Sequence, residues 1–490
     1  MTVKESFDQN YKKLKKIAAA AVKNHNTEVA LQAISAGAQM AYMYNQFYTD
    51  KQLEDMLLEI SQREIVLKAW NKHQSEYKTV LLYDGFGVDR RGIAIEMCKA
   101  ICKNGYKLIY VSPLSQKNKQ PALENALKPY HADWRFIDKN SSYLKEIHQL
   151  KRVFDDSQPD TAFFYTTPND VAGVVVFNAL KDRCFRIQLD LTDHAFWLGL
   201  NAFDICSGGR AFSASIQHYF RGISFDRMVH LDASLFVDNC DFMGLPFNEE
   251  ERFVFSGGAL YKTLGDAEYT YYKIVEHILD NHSSIKFLYA GFGDDSQMRM
   301  LLQKYPGRVF LIAERPDFYQ IMKRCTLYLN TYPMFGGLLM RYAALAGKPP
   351  ITLKHNQDSD GILIAQNERK IEYDSYDELV QDVDKLLDNE QYRHDREKLL
   401  DGAVMTEDCF ARNIRLMIEE HRTEFFYKDI KPVDVSKFRE EYYERFSYAD
   451  IARAIATWRN KAMLLFFPGS FIYHFKIVIN ELLRNFNDTV

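Results

Sequence analysis

Two series of short apolar segments alternate with amphipathic segments, and this alternation constrains the fold more than any other sequence feature. The first series begins with TVLLYDGF (79–86), continues through the helical pattern IAIEMCKAICKNG (93–105) and ends with FRIQLDLTD (185–193). The second runs from RFVFSGG (252–258) to PPITL (349–353). Short apolar segments separated by helical patterns predict parallel βαβ units. We therefore expect an α/β chain with two doubly wound, Rossmann-like domains.

The segment SLFVDNCDFMGLPFNEEER (234–252) interrupts the alternation and is interpreted as a linker. Two such domains place a ligand cleft between the carboxyl ends of their sheets. Helical periodicity without strand signals marks both ends of the chain. The predicted divisions are a helical N-terminal extension (1–75), a first Rossmann-like domain (76–245), a second one (246–404) and a helical C-terminal extension (405–490).

Composition excludes some partner classes. A formal net charge of -4 argues against a dedicated nucleic-acid-binding protein. Aromatic residues make up 14% of the chain, which fits either thick aromatic cores or surfaces that stack on sugars and bases. The seven cysteines form no CxxC pair, and the N-terminal sequence MTVKESFDQNYKKLKK is polar. These features predict a cytoplasmic protein.

Glycines cluster where the strands of the second domain end. They lie in FSGGALYKTLGD (255–266), YAGFGDD (289–295) and TYPMFGGLLMRYAALAGKPPITL (331–353). Glycines before a helix expose backbone N–H groups to which an anion can bind, and Lys262 adds a mobile positive charge. A plain surface lysine is the alternative interpretation. The glycines that we predict to approach one ligand are Gly257, Gly258, Gly291, Gly336 and Gly337.

Two loops of the first domain are candidates for the acceptor side. GFGVDRRG (85–92) lacks the third glycine of a dinucleotide fingerprint, which argues against a nicotinamide cofactor. In that loop Asp89, Arg90 and Arg91 either contact a polar acceptor or are solvated. In DLTDHAFWLG (190–199), His194 suits proton transfer near neutral pH, and Asp193 can orient its ring. A structural role for His194 is equally open.

The order of these parts resembles the GT-B glycosyltransferases over about 78–400, and the donor domain is most similar to the O-GlcNAc-transferase-like group. Tyr261-Lys262 follows the first strand as in that group. Asn330-Thr331-Tyr332-Pro333, the glycine pair and Ala346-Gly347-Lys348-Pro349 follow in the same order and spacing.

The resemblance implies a nucleotide-sugar donor and no resident cofactor. Lys262 would neutralise the donor diphosphate, backbone N–H groups at Gly337, Leu338 and Leu339 would hold its phosphate, and Glu314 with Arg315 would lie near the base. Amides, the lysine and the helix dipole would stabilise the leaving diphosphate without a divalent metal.

The chain departs from this family at three positions. Leu338 and Leu339 replace hydroxyl side chains, and Tyr342 stands where many relatives carry an acid that binds ribose. Met334 and Tyr342 replace the paired glutamates of one retaining subclass.

The leading hypothesis is a glycosyltransferase that moves a sugar, most readily from a UDP-sugar, to a glycan, lipid-linked or protein acceptor in bacterial polysaccharide or glycoprotein synthesis. His194 or Asp193 would deprotonate the acceptor. The alternative is a non-catalytic GT-B module that binds glycan or protein and supports a partner transferase. The C-terminal segment TWRNKAMLLFFPGSFIYHFKIVINELLRNF (457–486) either packs on the first domain or contacts the inner face of the membrane.

Overall fold

The computed structural model describes residues 2–70, 77–89, 93–237, 240–356, 359–427, 430–457, 459 and 466–469. The predicted site residues Arg90 and Arg91, and most of the segment 457–486 with its expected membrane contact, lie outside the described residues.

The described part of the N-terminal extension contains three helices, and the first of them packs against its neighbours through an apolar stripe. A capping box between Thr2 and Glu5 starts that helix, and its buried positions recur every three or four residues, as an amphipathic helix requires. The second helix is buried on nearly all sides between the first helix and the first domain. The helices are α1 (Val3–Lys23), α2 (Thr27–Tyr44) and α3 (Lys51–Glu64).

The first sheet of the described chain is parallel and has seven strands in the order β3-β2-β1-β4-β5-β6-β7. Its inner strands are apolar on both faces because helices cover both sides. The strands are β1 (Thr79–Asp84), β2 (Lys107–Pro113), β3 (Asp133–Ile137), β4 (Thr161–Tyr165), β5 (Phe185–Leu189), β6 (Ile205–Gly208) and β7 (Met228–His230).

The helices of this domain connect its successive parallel strands, as in a doubly wound fold. The strand order reverses between β1 and β4, so a crevice opens at the carboxyl ends of the strands there. These helices are α4 (Ala94–Lys103), α5 (Pro121–Leu127), α6 (Tyr143–Ser157), α7 (Val171–Ala179) and α8 (Ala211–Ser215).

The second sheet repeats the arrangement with six described strands in the order β10-β9-β8-β11-β12-β13, all parallel. It begins after the predicted linker. The strands are β8 (Phe253–Gly257), β9 (Lys286–Ala290), β10 (Val309–Ile312), β11 (Leu327–Leu329), β12 (Pro350–Leu353) and β13 (Glu372–Tyr373).

Helices cover both faces of this second sheet and form two apolar cores with it. The helix that matters most for the site begins at the predicted glycine pair. The helices are α9 (Thr270–Asn281), α10 (Ser296–Lys304), α11 (Phe318–Arg324), α12 (Gly337–Leu345), α13 (Tyr376–Asp388) and α14 (Glu390–Lys398).

The chain then returns to the first domain. The first returning helix packs on α4 through an apolar face and through the Lys99–Glu407 ion pair, whose charged atoms are 2.9 Å apart. The prediction of two Rossmann-like domains with helical extensions at both ends is confirmed. The last helices are α15 (Glu407–Glu420), α16 (Ser436–Arg445) and α17 (Tyr448–Ala456).

Candidate active site

A cavity of about 550 Å³ lies between the two domains, within the size range of ligand pockets. Residues after β5, β6 and β7 line one side, and residues after β8 and β11 line the other. Helices α2 and α16 add side chains from outside both sheets. Of the predicted site residues, those lining the cavity are Asp193, His194, Lys262, Gly337, Leu338 and Tyr342.

His194 lies in the loop after β5, next to a buried carboxylate. Its Nδ1 is 3.4 Å from Oδ1 of Asp193, and its side chain is 31% exposed. The guanidinium of Arg210 donates two hydrogen bonds to Asp193, at 2.6 and 2.7 Å. Burial alone would raise the pKa of Asp193, but the charge of Arg210 and hydrogen bonds from His194 and Arg210 hold it well below its usual value. Asp193 therefore stays ionised and suits orienting the imidazole.

Groups distant in sequence hold the backbone of this loop. The side-chain amide of Asn45, at the end of α2, donates to the carbonyl of His194 at 3.0 Å. Arg221 donates to the carbonyl of Ala195 at 2.5 Å and to that of Tyr48 at 2.9 Å. No sequence motif indicated these positioning residues, because each acts through a backbone carbonyl far along the chain.

Asp190 is a second, half-buried carboxylate in this loop and was not predicted as a site residue. It lines the cavity, and Gln217 donates to its Oδ2 at 3.0 Å. Burial raises the pKa of Asp190, the charge of Asp193 raises it further, and Arg221 opposes the rise. Its position as the first residue after β5 was the signal that could have identified it.

On the opposite side, Lys262 lies in the turn after β8 and lines the cavity. Its carbonyl accepts a hydrogen bond from the N–H of Met334 at 3.2 Å, which joins this turn to the loop before α12. Lys262 and the beginning of α12 therefore face the same space.

The N-terminus of α12 presents backbone N–H groups to the cavity. The N–H of Gly336 donates to Oδ1 of Asn330 at 3.2 Å, and no side chain caps the helix. Among the described residues, no protein atom accepts a hydrogen bond from the N–H of Gly337, Leu338 or Leu339. A Cβ on Gly337 would lie 2.7 Å from Cδ1 of Ile362, so that side chain would have to move to admit a larger residue.

Side chains of α12 join the two domains. The hydroxyl of Tyr342 donates to the carbonyl of Phe236 in the linker at 2.6 Å. Arg341 donates to the carbonyl of Gly209 at 3.2 Å, and its Nη2 is 3.4 Å from Oδ1 of Asp232. Tyr342 therefore lines the cavity while its hydroxyl is bonded to the linker.

Three of the glycines that we predicted to approach the ligand lie instead where the backbones of two strand ends come close together. They are not among the residues that line the cavity. A Cβ on Gly291 would lie 1.9 Å from the carbonyl oxygen of Gly258, and a Cβ on Gly257 would lie 2.9 Å from that of Ala290. The N–H of Gly258 donates to the Ala290 carbonyl at 2.9 Å. These glycines allow the ends of β8 and β9 to approach each other.

The other predicted residues that the structure describes also lie outside the cavity lining. Arg315 forms an ion pair with buried Asp317 at 2.5 Å, and Asp317 accepts from the N–H of Met243 in the linker at 2.7 Å. Glu314 is exposed, and Leu339 packs against the second apolar core of the second domain.

On the acceptor side, Asp89 accepts hydrogen bonds from the N–H groups of Ala122 and Leu123, both at 3.1 Å, at the start of α5. It is not among the cavity-lining residues either.

Helix α16 contributes Phe438, Glu441 and Tyr442 to the cavity, a contribution that the sequence did not predict. Among the described residues, no cluster of three or more His, Cys, Asp or Glu side chains has the arrangement of a metal site. No helix in the described part of the chain is long and apolar enough to span a membrane.

Comparisons with known proteins identify the fold of the chain through similar structures, and they find no match to a family model or a curated protein. A glycosyltransferase structure from Rickettsia africae is similar with a TM-score of 0.52 and 11% identity, over 71% of this chain and 99% of that one. A variant of the Thermobaculum terrenum O-GlcNAc transferase gives 0.51 and 14%, over 91% and 83%.

A UDP-N-acetylglucosamine 2-epimerase is also similar, with a TM-score of 0.50 and 12% identity, over 73% of this chain and all of that one. The chain therefore has the GT-B fold, and the resemblance stated from the sequence is confirmed at that level.

Proposed function

We propose that the chain is a glycosyltransferase that binds a nucleotide-diphosphate sugar in the interdomain cavity and transfers the sugar to an acceptor hydroxyl. One observation carries the proposal. The uncapped N-terminus of α12 and Lys262 face the same cavity as His194, buried Asp193 and Arg210. One wall thus suits a diphosphate, and the other suits proton transfer.

The donor side offers several ways to stabilise negative charge. Backbone N–H groups of Gly337 to Leu339 and the positive end of the helix dipole favour an anion at the start of α12. Lys262 adds a full positive charge. These groups stabilise the diphosphate as it departs. A UDP-sugar is the donor we propose, and two similar structures are named for enzymes of N-acetylglucosamine.

The acceptor side supports general base catalysis. Asp193 fixes the imidazole of His194 with Nδ1 toward the carboxylate, which leaves Nε2 to accept a proton from the acceptor hydroxyl. The acceptor oxygen then attacks the anomeric carbon, and the bond between that carbon and the diphosphate oxygen breaks with its electron pair leaving on the diphosphate. We propose that this step needs no divalent metal and that the reaction belongs to bacterial polysaccharide or glycoprotein synthesis in the cytoplasm.

Two other functions are supported by specific observations. The similarity to a UDP-N-acetylglucosamine 2-epimerase favours an enzyme that rearranges its nucleotide sugar without an acceptor. The hydrogen bond from Tyr342 to the linker, at the position where a ribose-binding acid is absent, favours a non-catalytic module. The products of the reaction separate these functions from sugar transfer.

Calorimetric titration with UDP, GDP, CMP and dTDP, with and without Mg²⁺, tests the donor site. We expect UDP to bind without metal and Lys262→Ala to weaken binding about tenfold, the effect of losing one charge-assisted contact. Lys273→Ala is the matched control, because Lys273 is exposed on α9 and pairs with Glu268 at 3.0 Å. Failure of all four nucleotides to bind would favour the non-catalytic module.

NMR analysis of UDP-N-acetylglucosamine and UDP-hexoses after incubation identifies the reaction. Transfer predicts release of UDP with sugar on an added acceptor. An altered sugar that remains attached to UDP would favour the epimerase.

A further inference from the structure

Helix α16 bridges the N-terminal extension and the second domain beside the cavity. On one side, the side-chain amide of Gln46, just after α2, donates to the carbonyl of Arg439 at 2.7 Å. On the other, Lys437 donates to the carbonyl of His355 at 3.0 Å, and the ring of His355 pairs with Glu441. The cavity is therefore bounded on this side by a helix that is hydrogen-bonded to the N-terminal extension and to the second domain.

The bridge places an aromatic wall next to the proposed base. The rings of Phe438 and Tyr442 are 4.9 Å apart between centroids. The ring of His194 lies 6.2 Å from that of Phe438 and 6.5 Å from that of Tyr442. Glu441 lines the cavity on the same helix.

Two tyrosines from other elements add to this wall. Tyr42 comes from α2 and Tyr261 from the turn that carries Lys262, and both line the cavity. Burial raises the pKa of Tyr42, and the phenol of Tyr261 raises it further because the two side chains are close together. The side chain of Tyr261 is 55% exposed, so it lies toward the opening.

This combination fits a sugar ring. Aromatic faces pack on the C–H face of a pyranose, while carboxylate and imidazole groups bind its hydroxyls. Because α16 closes one side, the cavity admits the end of an acceptor more readily than the middle of an extended polypeptide.

We infer that Tyr42, Phe438, Glu441 and Tyr442 form an acceptor subsite for the terminal sugar of a saccharide. The inference rests on the proposed transferase function and names the acceptor class of that site. Its walls come from the two helical extensions, so the subsite belongs to the full chain and not to either Rossmann-like domain alone.

Saturation-transfer NMR tests the subsite with the methyl glycosides of glucose, galactose and N-acetylglucosamine, and with a Ser/Thr-containing heptapeptide, on the full chain with and without UDP. We expect signals from a glycoside and a three- to tenfold loss of its affinity in Tyr442→Ala, about the effect of one lost ring contact. Tyr442→Phe keeps the ring and should bind like the unmodified protein. Tyr443→Ala is the control on the same helix, because Tyr443 is 41% exposed and is not among the cavity-lining residues.

Signals from the peptide alone, no glycoside signals, or glycoside affinity unchanged in Tyr442→Ala would each overturn the inference. Calorimetry with UDP on the same samples separates it from the donor proposal. If UDP binds and no glycoside does, the acceptor subsite is wrong while the donor site stands. If UDP does not bind, the donor proposal fails and the glycoside signals still decide the subsite.

Discussion

The side-chain amide of Asn45 donates a hydrogen bond of 3.0 Å to the backbone carbonyl of His194, which is 149 residues further along the chain. Asn45 ends α2 in a left-handed conformation with a φ of 49° and is fully buried. The N-terminal extension therefore positions the proposed base directly, in addition to packing on the first domain.

Replacing Asn45 by Ala should slow sugar transfer more than it weakens donor binding. The change removes a buried hydrogen bond and leaves the His194 carbonyl without that donor, which costs about 1–3 kcal/mol of the free energy of unfolding. We expect a several-fold lower kcat with UDP affinity unchanged, as measured by initial rates and calorimetry. Asn10→Ala is the control, because the bonds of Asn10 to described residues lie within α1, to Ser6. Equal kcat in the two variants would contradict the positioning role of Asn45.

A carboxylate on α4 should make the stability of the protein fall as pH rises. Burial raises the pKa of Glu96 from 4.5 to about 8, and no described group hydrogen-bonds its Oε1. Between these two pKa values the folded chain binds more protons than the unfolded chain, so the free energy of unfolding decreases with increasing pH. The decrease amounts to a few kcal/mol, since one pKa unit corresponds to about 1.4 kcal/mol.

Urea unfolding at pH 5 and pH 8 measures this loss. Glu96→Gln is neutral at both values and should remove most of the difference, whereas Glu124→Gln, on the exposed side of α5, should leave it intact. A pH dependence that persists in Glu96→Gln would assign it to other groups.

The close packing of Gly337 should be necessary for donor binding. A Cβ there would lie 2.7 Å from Cδ1 of Ile362 and 3.0 Å from Cε1 of Phe335, so Gly337→Ala should displace these side chains or the start of α12 with its N–H groups. We expect UDP affinity to fall about three- to tenfold, in the range of a weakened charge-assisted hydrogen bond. Because Ile362→Val removes the Cδ1 atom, the double variant Gly337→Ala with Ile362→Val should recover most of the affinity in calorimetry. No recovery would mean that the glycine acts by some route other than this contact.

The sequence predicted both sheets because buried parallel strands are continuous apolar segments that stand out between helical patterns, as TVLLYD and FVFSG do. Lys262 and Gly337, which the sequence predicted as donor-site residues, both line the cavity, five and eight residues after the ends of β8 and β11. The sequence did not predict Tyr442 or Glu441. The segment SKFREEYYER reads locally as a solvated helix, and only the return of the chain to the first domain brings it to the cavity.

Local sequence also could not decide what a charged loop residue contacts. Glu314 and Arg315 follow β10 at a position where the resemblance implies a nucleotide base. The ion pair of Arg315 with Asp317 depends on the linker reaching the same place, through the N–H of Met243. A pattern of strand ends contains no information about that linker contact.

His355 should hold α16 in place as the wall of the proposed acceptor subsite. Its Nδ1 is 3.1 Å from the hydroxyl of Tyr332, and its Nε2 pairs with Glu441, so one imidazole joins the second domain to the bridging helix. His355→Ala breaks both contacts. We expect glycoside affinity to fall about threefold or more and amide hydrogen exchange in 436–445 to become faster, while UDP affinity stays unchanged. His394→Ala is the control, because His394 is exposed on α14 and its ion pair among the described residues is local, with Glu397. Unchanged exchange in 436–445 would show that α16 is held by its other contacts, the bond from Gln46 among them.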